Sequence, residues 1–231
     1  IEPSTDAVAR FRLIDPPAGF VDDPYPWYAQ LRRQSPVHRL SERSFFLSRY
    51  DDVITAYRDP RTSSDKHAEF TPKFGNSPLL EHHTTSLVFN DPPLHTRVRR
   101  LIMGALNQRA LKKMERGLIQ LIDELLDDIE NQNSVDMISD FAARIPIEVI
   151  GNLLDVPRDE RAPLRGWSLA ILSALEPVPK PQVLQTGNQA VIDFTDYLKI
   201  LVSSRRQTPG DPAVDVLTRL IQGEKDGEKL T

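Results

Sequence analysis

Apolar residues along this chain recur mostly at spacings of three and four, and prolines divide the pattern into segments. The clearest run is Leu111, Met114, Leu118, Leu121, Ile122, Leu125 and Ile129, which predicts a strong amphipathic helix starting near Arg109. Upstream, Asp23-Pro-Tyr-Pro opens a short amphipathic helix, Trp27 to Arg33, that Ser35-Pro36 ends. Val37 to Leu40 and Ser44 to Ser48, with polar residues between, predict a β-hairpin. Tyr50-Asp51-Asp52 starts another helix, and Asp59-Pro60 stops it. Residues 61 to 90 show no sustained period and read as a long loop, a feature more often functional than idle. Asp91 is a helix cap by type and Pro92 suits the first helical position, so a helix is expected to about Ala105. Val135 to Met137 is a short strand candidate, and Phe141 to Leu154 a mostly buried helix. Helices over Arg158 to Leu175 and Gln182 to Arg205 flank the break Glu176-Pro-Val-Pro-Lys-Pro, and Asp215 to Gln222 forms the last. The fold class is mainly α with a small β-sheet.

Composition narrows the picture by exclusion. At 231 residues with 39% hydrophobic and 27% charged positions, the chain suits a globular fold with a buried core. No apolar run approaches the roughly 20 residues that span a bilayer, and the polar start, Ile1 to Arg10, is unlike a targeting segment, so a soluble cytoplasmic protein without membrane contact is expected. The chain lacks an initiating Met, and part of its true start is expected to precede Ile1. The absence of cysteine excludes disulfides, Cys-type zinc sites and thiol nucleophiles. A net charge of -4 gives no case for nucleic-acid binding. From His95 to Arg116, however, seven Arg and Lys face only Glu115, a local excess of six positive charges. Such a run is a solvated helix face or a surface for an anionic partner.

The chemistry concentrates at the start of that run. His95 and Arg99 lie four apart and share one helix face. Two donors so placed can grip a carboxylate, although many such pairs meet only water. His67, His82, His83 and His95 suggest zinc, but adjacent His82-His83 would point apart in an extended loop, and no ligating side chain shares a tight spacing with them; no metal site is expected.

Asp91-Pro-Pro-Leu-His-Thr-Arg-Val-Arg-Arg-Leu resembles the Asp-Pro-Pro-x-His-Thr-Arg-x-Arg segment of bacterial cytochromes P450, which opens the helix beside the haem. Phe46-Leu-Ser-Arg-Tyr-Asp-Asp-Val resembles the family's first sheet strand running into its second helix, and Arg58-Asp-Pro-Arg-Thr-Ser-Ser-Asp the turn that follows. Asp23-Pro-Tyr-Pro with Leu31-Arg fits the family's first helix. Leu106-Asn107-Gln108 departs from the Phe, Thr or Ser, Pro that often follows the haem-side helix. The resemblance implies that residues 1–231 are the amino-terminal half of one P450 domain, with haem b as cofactor.

It also implies roles. His95 and Arg99 correspond to partners of the haem propionates, whose buried carboxylates need charge-assisted donors. The loop about 65–90 would cover the distal pocket, with Leu87 and Val88 nearest the haem and a small organic substrate. The helices about 158–205 would roof it, Leu169 and Leu172 foremost, unless those two are ordinary core. Arg109, Lys112, Lys113 and Arg116 would face a ferredoxin-type electron donor. The family's haem-ligating cysteine, its central-helix acid–Thr pair and its Glu-x-x-Arg pair are not in this sequence, which stops at Glu228-Lys-Leu-Thr, about where the central helix should begin. The parent is therefore expected to be a haem-thiolate monooxygenase and these 231 residues alone an inactive fragment. A non-catalytic helical small-molecule-binding module and a protein-interaction module are the alternatives.

Overall fold

The computed structural model describes residues 2–106, 108–176, 179–213 and 215–222; the side chains of 108–111 and 113 lie outside that description. The chain forms two units, 1–63 and 64–231.

In the first unit, α1 (Thr5–Ala9) is capped by Ser4, whose hydroxyl accepts from the Ala7 N–H. The helix α2 (Tyr25–Gln34) ends at Ser35, as its flanking prolines predict. Strands β1 (Val37–Arg39) and β2 (Phe45–Leu47) pair antiparallel with His38 opposite Phe46, confirming the hairpin. The helix α3 (Tyr50–Arg58) follows. Val8, Phe11, Phe20 and Leu31 are buried together, with Trp27, Tyr28, Leu40 and Phe46 packed around them. His38 is buried there without an unmet nitrogen: one ring nitrogen pairs with the Ser35 hydroxyl and the other with the Phe11 carbonyl, each at 3.2 Å.

The second unit opens where a loop is expected, and the structure corrects that reading. Residues 65–90 contain two helices, α4 (His67–Phe74) and α5 (Pro78–Thr85), then a 3₁₀ turn, Leu87–Phe89. Each helix is only eight residues long and buries one i,i+4 pair, Phe70 with Phe74 and Leu79 with His83, too short a run to register as a period. Ser77 caps α5 through the Leu80 N–H, and Pro78 takes the first turn. The helices α6 (Leu94–Ala105) and α7 (Gln108–Glu130) follow.

Val135 to Met137 is not a strand. The Asp136 carboxylate instead accepts from the N–H groups of Ile138 and Ser139 at 2.8 and 2.9 Å and starts a π-helical turn, Met137–Ala142. The helix α8 (Arg144–Leu153) buries only Gly151, so the expected buried helix is half-buried. A 3₁₀ turn, Arg158–Glu160, leads into α9 (Ala162–Ser173), and α10 (Pro181–Gln207) packs along it. The helix α11 (Val216–Gln222) closes the described part. The main core joins α4, α5, α9 and α10 through Phe70, Phe74, Leu79, Ile171, Ala174, Ala190 and Val191.

Two ionic knots brace α8 to α11. Buried Arg161 donates to the Val156 carbonyl at 3.0 and 2.7 Å and to the Glu148 carboxylate at 2.6 Å. Asp215, also buried, accepts from the Thr218 hydroxyl at 2.5 Å and from Arg205, and these donors hold its carboxyl below the usual range although burial alone would raise it.

Candidate functional site

The candidate site is built on α6. The helix starts at Leu94, later than the capping pattern suggests; the Asp91 carboxylate accepts from the Ser64 N–H at 2.8 Å, while its carbonyl accepts the His95 N–H at 3.1 Å, the first helical bond. Leu94, Val98, Leu101, Ile102 and Ala105 fall on one stripe, yet only Ala105 is buried. His95, half-buried, and Arg99, exposed, flank this stripe on one side, one helical turn apart. Among the described residues no hydrogen bond or ion pair engages either side chain. They form a half-sheltered donor pair beside an incompletely covered apolar surface, an arrangement suited to a ligand with an apolar body and acidic arms.

A groove of about 540 Å³ opens on another face of the same helix, lined by Pro92, Pro93, Leu94, Thr96, Arg97 and Arg100. Neither His95 nor Arg99 lines it. Spacing accounts for the split, since Arg97 lies two positions from each and therefore points away from both.

The pocket candidates divide between two elements. In the turn after α5, Val88 is 69% exposed and Leu87 half-buried, while Phe89 turns inward. On α9, Leu169 and Leu172 are 50% and 59% exposed, whereas Leu164 and Ile171 of the same helix are buried. The core alternative for these two leucines is thereby excluded within this chain. Sequence reading missed the residues that hold the Leu87–Phe89 turn. The Phe89 ring sits 5.1 Å from Phe70 and 5.9 Å from His83, and the Asn90 amide donates to the carbonyls of Thr84 at 2.9 Å and Ser86 at 2.6 Å. The Phe70/Phe74 spacing and the Ser77-Pro78 start signal were the available clues.

The two adjacent histidines do not point apart in a loop: they lie on α5 with ring centroids 5.3 Å apart. His83 is packed against Phe70, Phe74 and Phe89, and its Nε2 has no hydrogen-bond partner. Desolvation, helped by His82 and Lys73, pushes its pKa down to about 4, so the ring is neutral near pH 7. Among the described residues no group of three His, Asp or Glu is placed to hold a metal. On α7, Lys112 and Arg116 are exposed one turn apart, while the side chains of Arg109 and Lys113 lie outside the described residues. No described helix is long and apolar enough to cross a membrane.

No family profile matches the chain. Individual proteins do. A cytochrome P450 of Bacillus subtilis is 30% identical over 219 residues, covering 92% of this chain and 52% of its own length. The cytochrome P450 monooxygenase PikC of Streptomyces venezuelae is 29% identical over 218 residues, covering 92% of this chain and 50% of its own. The crystal structure of P450BioI, in complex with an acyl carrier protein bearing hexadec-9Z-enoic acid, superposes with a TM-score of 0.81 at 25% identity, over 93% of this chain and 55% of that one. The chain thus spans about half the length of the curated relatives it matches. In sequence and in fold it is similar to bacterial cytochromes P450 over about half their length.

Proposed function

We propose that the whole protein is a haem-thiolate monooxygenase that inserts one oxygen atom from O₂ into a small organic substrate, and that both units of this chain belong to its single P450 domain. The observation that carries this reading is the uncommitted His95–Arg99 pair beside the bare apolar stripe of α6. The residues fit haem b: an apolar helix face suits the macrocycle, and an imidazole and a guanidinium suit its two propionates. Bound haem, with a cysteine ligand outside these 231 residues, would supply the oxygen chemistry. The chain's own side chains hold and orient. Arg99 offers a permanent cation and His95 a hydrogen-bond donor to the acid arms, offsetting their desolvation. Leu87, Val88, Leu169 and Leu172 present apolar surface that excludes water and positions substrate. Having no cysteine, residues 1–231 are inactive by themselves. The exposed Lys112 and Arg116, with Arg109 and Lys113, would steer an acidic ferredoxin-type electron donor. Because P450BioI holds a carrier protein loaded with a fatty acyl chain, a carrier-borne acyl chain is a substrate class to test beside free small molecules.

The test is the reduced-CO spectrum of the full-length protein and of its Arg99→Leu and His95→Ala variants. A red-shifted band of thiolate-ligated haem is expected, with haem retention weakened about tenfold or more by Arg99→Leu. A full-length protein that purifies without haem, or an Arg99→Leu variant that retains haem as well as the parent, would overturn the reading.

A further inference from the structure

We propose that Asn90 is the positioning residue that fixes Leu87 and Val88 relative to the His95–Arg99 face; this rests on the reading of those four residues given above. The turn Leu87–Phe89 is held at three points. Its Phe89 ring is lodged among Phe70 and His83. The helix α5 beneath it is tied to α10 by the Leu79 N–H, which donates to the Asn188 side chain at 3.0 Å, and by Leu79 itself, fully buried. The third point is Asn90. Its amide NH₂ donates to the Thr84 carbonyl in the last turn of α5 and to the carbonyl of the cap residue Ser86, which also accepts the Phe89 N–H, so one side chain bridges the helix end and the turn. The backbone of Asn90 is extended (φ -125°, ψ 148°), and its side chain reaches back over the turn.

The neighbour, Asp91, faces the other way. Its carboxylate takes the Ser64 N–H and its carbonyl takes the His95 N–H at the start of α6. Two consecutive polar residues therefore join the pocket turn to the helix carrying His95 and Arg99. Only a carboxamide does what Asn90 does here. An Asp of the same shape has no N–H to give and would set a negative charge against two carbonyls, and Leu offers neither donor.

The test uses the full-length protein. A nitroxide attached at Val88→Cys reports motion of the turn, a second at Leu172→Cys serves as control, and phenylimidazole is titrated as a ligand that must pass the turn to reach the haem. Asn90→Leu and Asn90→Asp should free the label at 88, leave that at 172 unchanged, retain the red-shifted CO band, and weaken phenylimidazole about tenfold, the loss of two half-buried hydrogen bonds. Asn90→Gln, which keeps the donor, should recover part of both effects. A label at 88 that stays immobile in Asn90→Leu, with phenylimidazole affinity unchanged, overturns the proposal. Should the full-length protein hold no haem, the monooxygenase reading fails while the label at 88 still decides the role of Asn90. If Asn90→Leu does not fold, Asn90→Ser, which keeps one donor, is read by the same labels.

Discussion

Two regions of the second unit treat their apolar residues in opposite ways. The helices α4, α5, α9 and α10 close on each other: Phe70, Leu79, Ile171, Ala190 and Val191 are each 6% exposed or less. The helix α6 has at least as clear an apolar stripe, yet it buries Ala105 alone, and Leu94 remains 43% exposed. Further along, α7 leaves Ile119 and Leu126 at 58% and 45%. Both regions follow the same helical periodicity, so periodicity does not separate a finished core from a surface that waits for a ligand or for more chain. Burial does. The candidate site lies on the unfinished side, where His95 and Arg99 edge the open stripe, and the finished side supports the Leu87–Phe89 turn through Phe89.

The largest expected effect comes from breaking the finished side. Leu79 is fully buried at the α5–α10 seam, and Leu79→Ala should cost about 3 kcal/mol through lost transfer energy and the cavity left behind. Met103→Ala on α6, where the side chain is 57% exposed, should cost less than about 1 kcal/mol. Urea denaturation of the two variants measures the contrast, and equal losses would mean that α6 is as well packed as α5.

Much of this architecture was legible from pattern alone. The helix α7 shows itself by a long series of apolar spacings, α2 by its prolines, and the hairpin by two short apolar runs. The His95–Arg99 pair was legible because four residues is one helical turn. Residues 67–85 were not legible, because an eight-residue helix with one buried pair offers too few repeats. The burial of α8 was overestimated because an apolar sequence says which face is greasy and not whether anything covers it. Asn90 was hidden for a related reason: its partners are the carbonyls of Thr84 and Ser86, which come within reach only once 78–89 is helical.

Acid should open the same finished side. His83 titrates near 6.5 in an unfolded chain but at about 4 among its phenylalanine rings, so between these values the unfolded state binds more protons. Stability is therefore full above about pH 6.5 and falls as the pH drops toward 4, by up to about 3 kcal/mol; below 4 this residue adds no further loss. His82, also lowered by desolvation, contributes in the same direction. Urea midpoints measured across this window should flatten in His83→Phe, which fills the cage with an uncharged ring, and an unchanged slope would remove His83 from the account.

The smallest effects carry opposite signs in the two regions. In a helix, alanine is favoured over glycine by about 0.5–1 kcal/mol when nothing else changes. At Gly187 on α10 something does: an added methyl would stand 3.2 Å from the Ala170 carbonyl oxygen and 3.2 to 3.3 Å from both Leu79 methyls. A backbone oxygen yields little, and overpacking of this kind costs about 1–3 kcal/mol, so Gly187→Ala should lose about 1 kcal/mol net. At Gly117 on α7 the added methyl meets nothing within 4 Å. Gly117→Ala should therefore gain the full helical preference, about 0.5–1 kcal/mol, read as a higher urea midpoint with an unchanged slope. In the full-length protein, a Gly117→Ala variant that loses stability while the same change stabilises residues 1–231 would show that the remaining polypeptide packs against this face of α7.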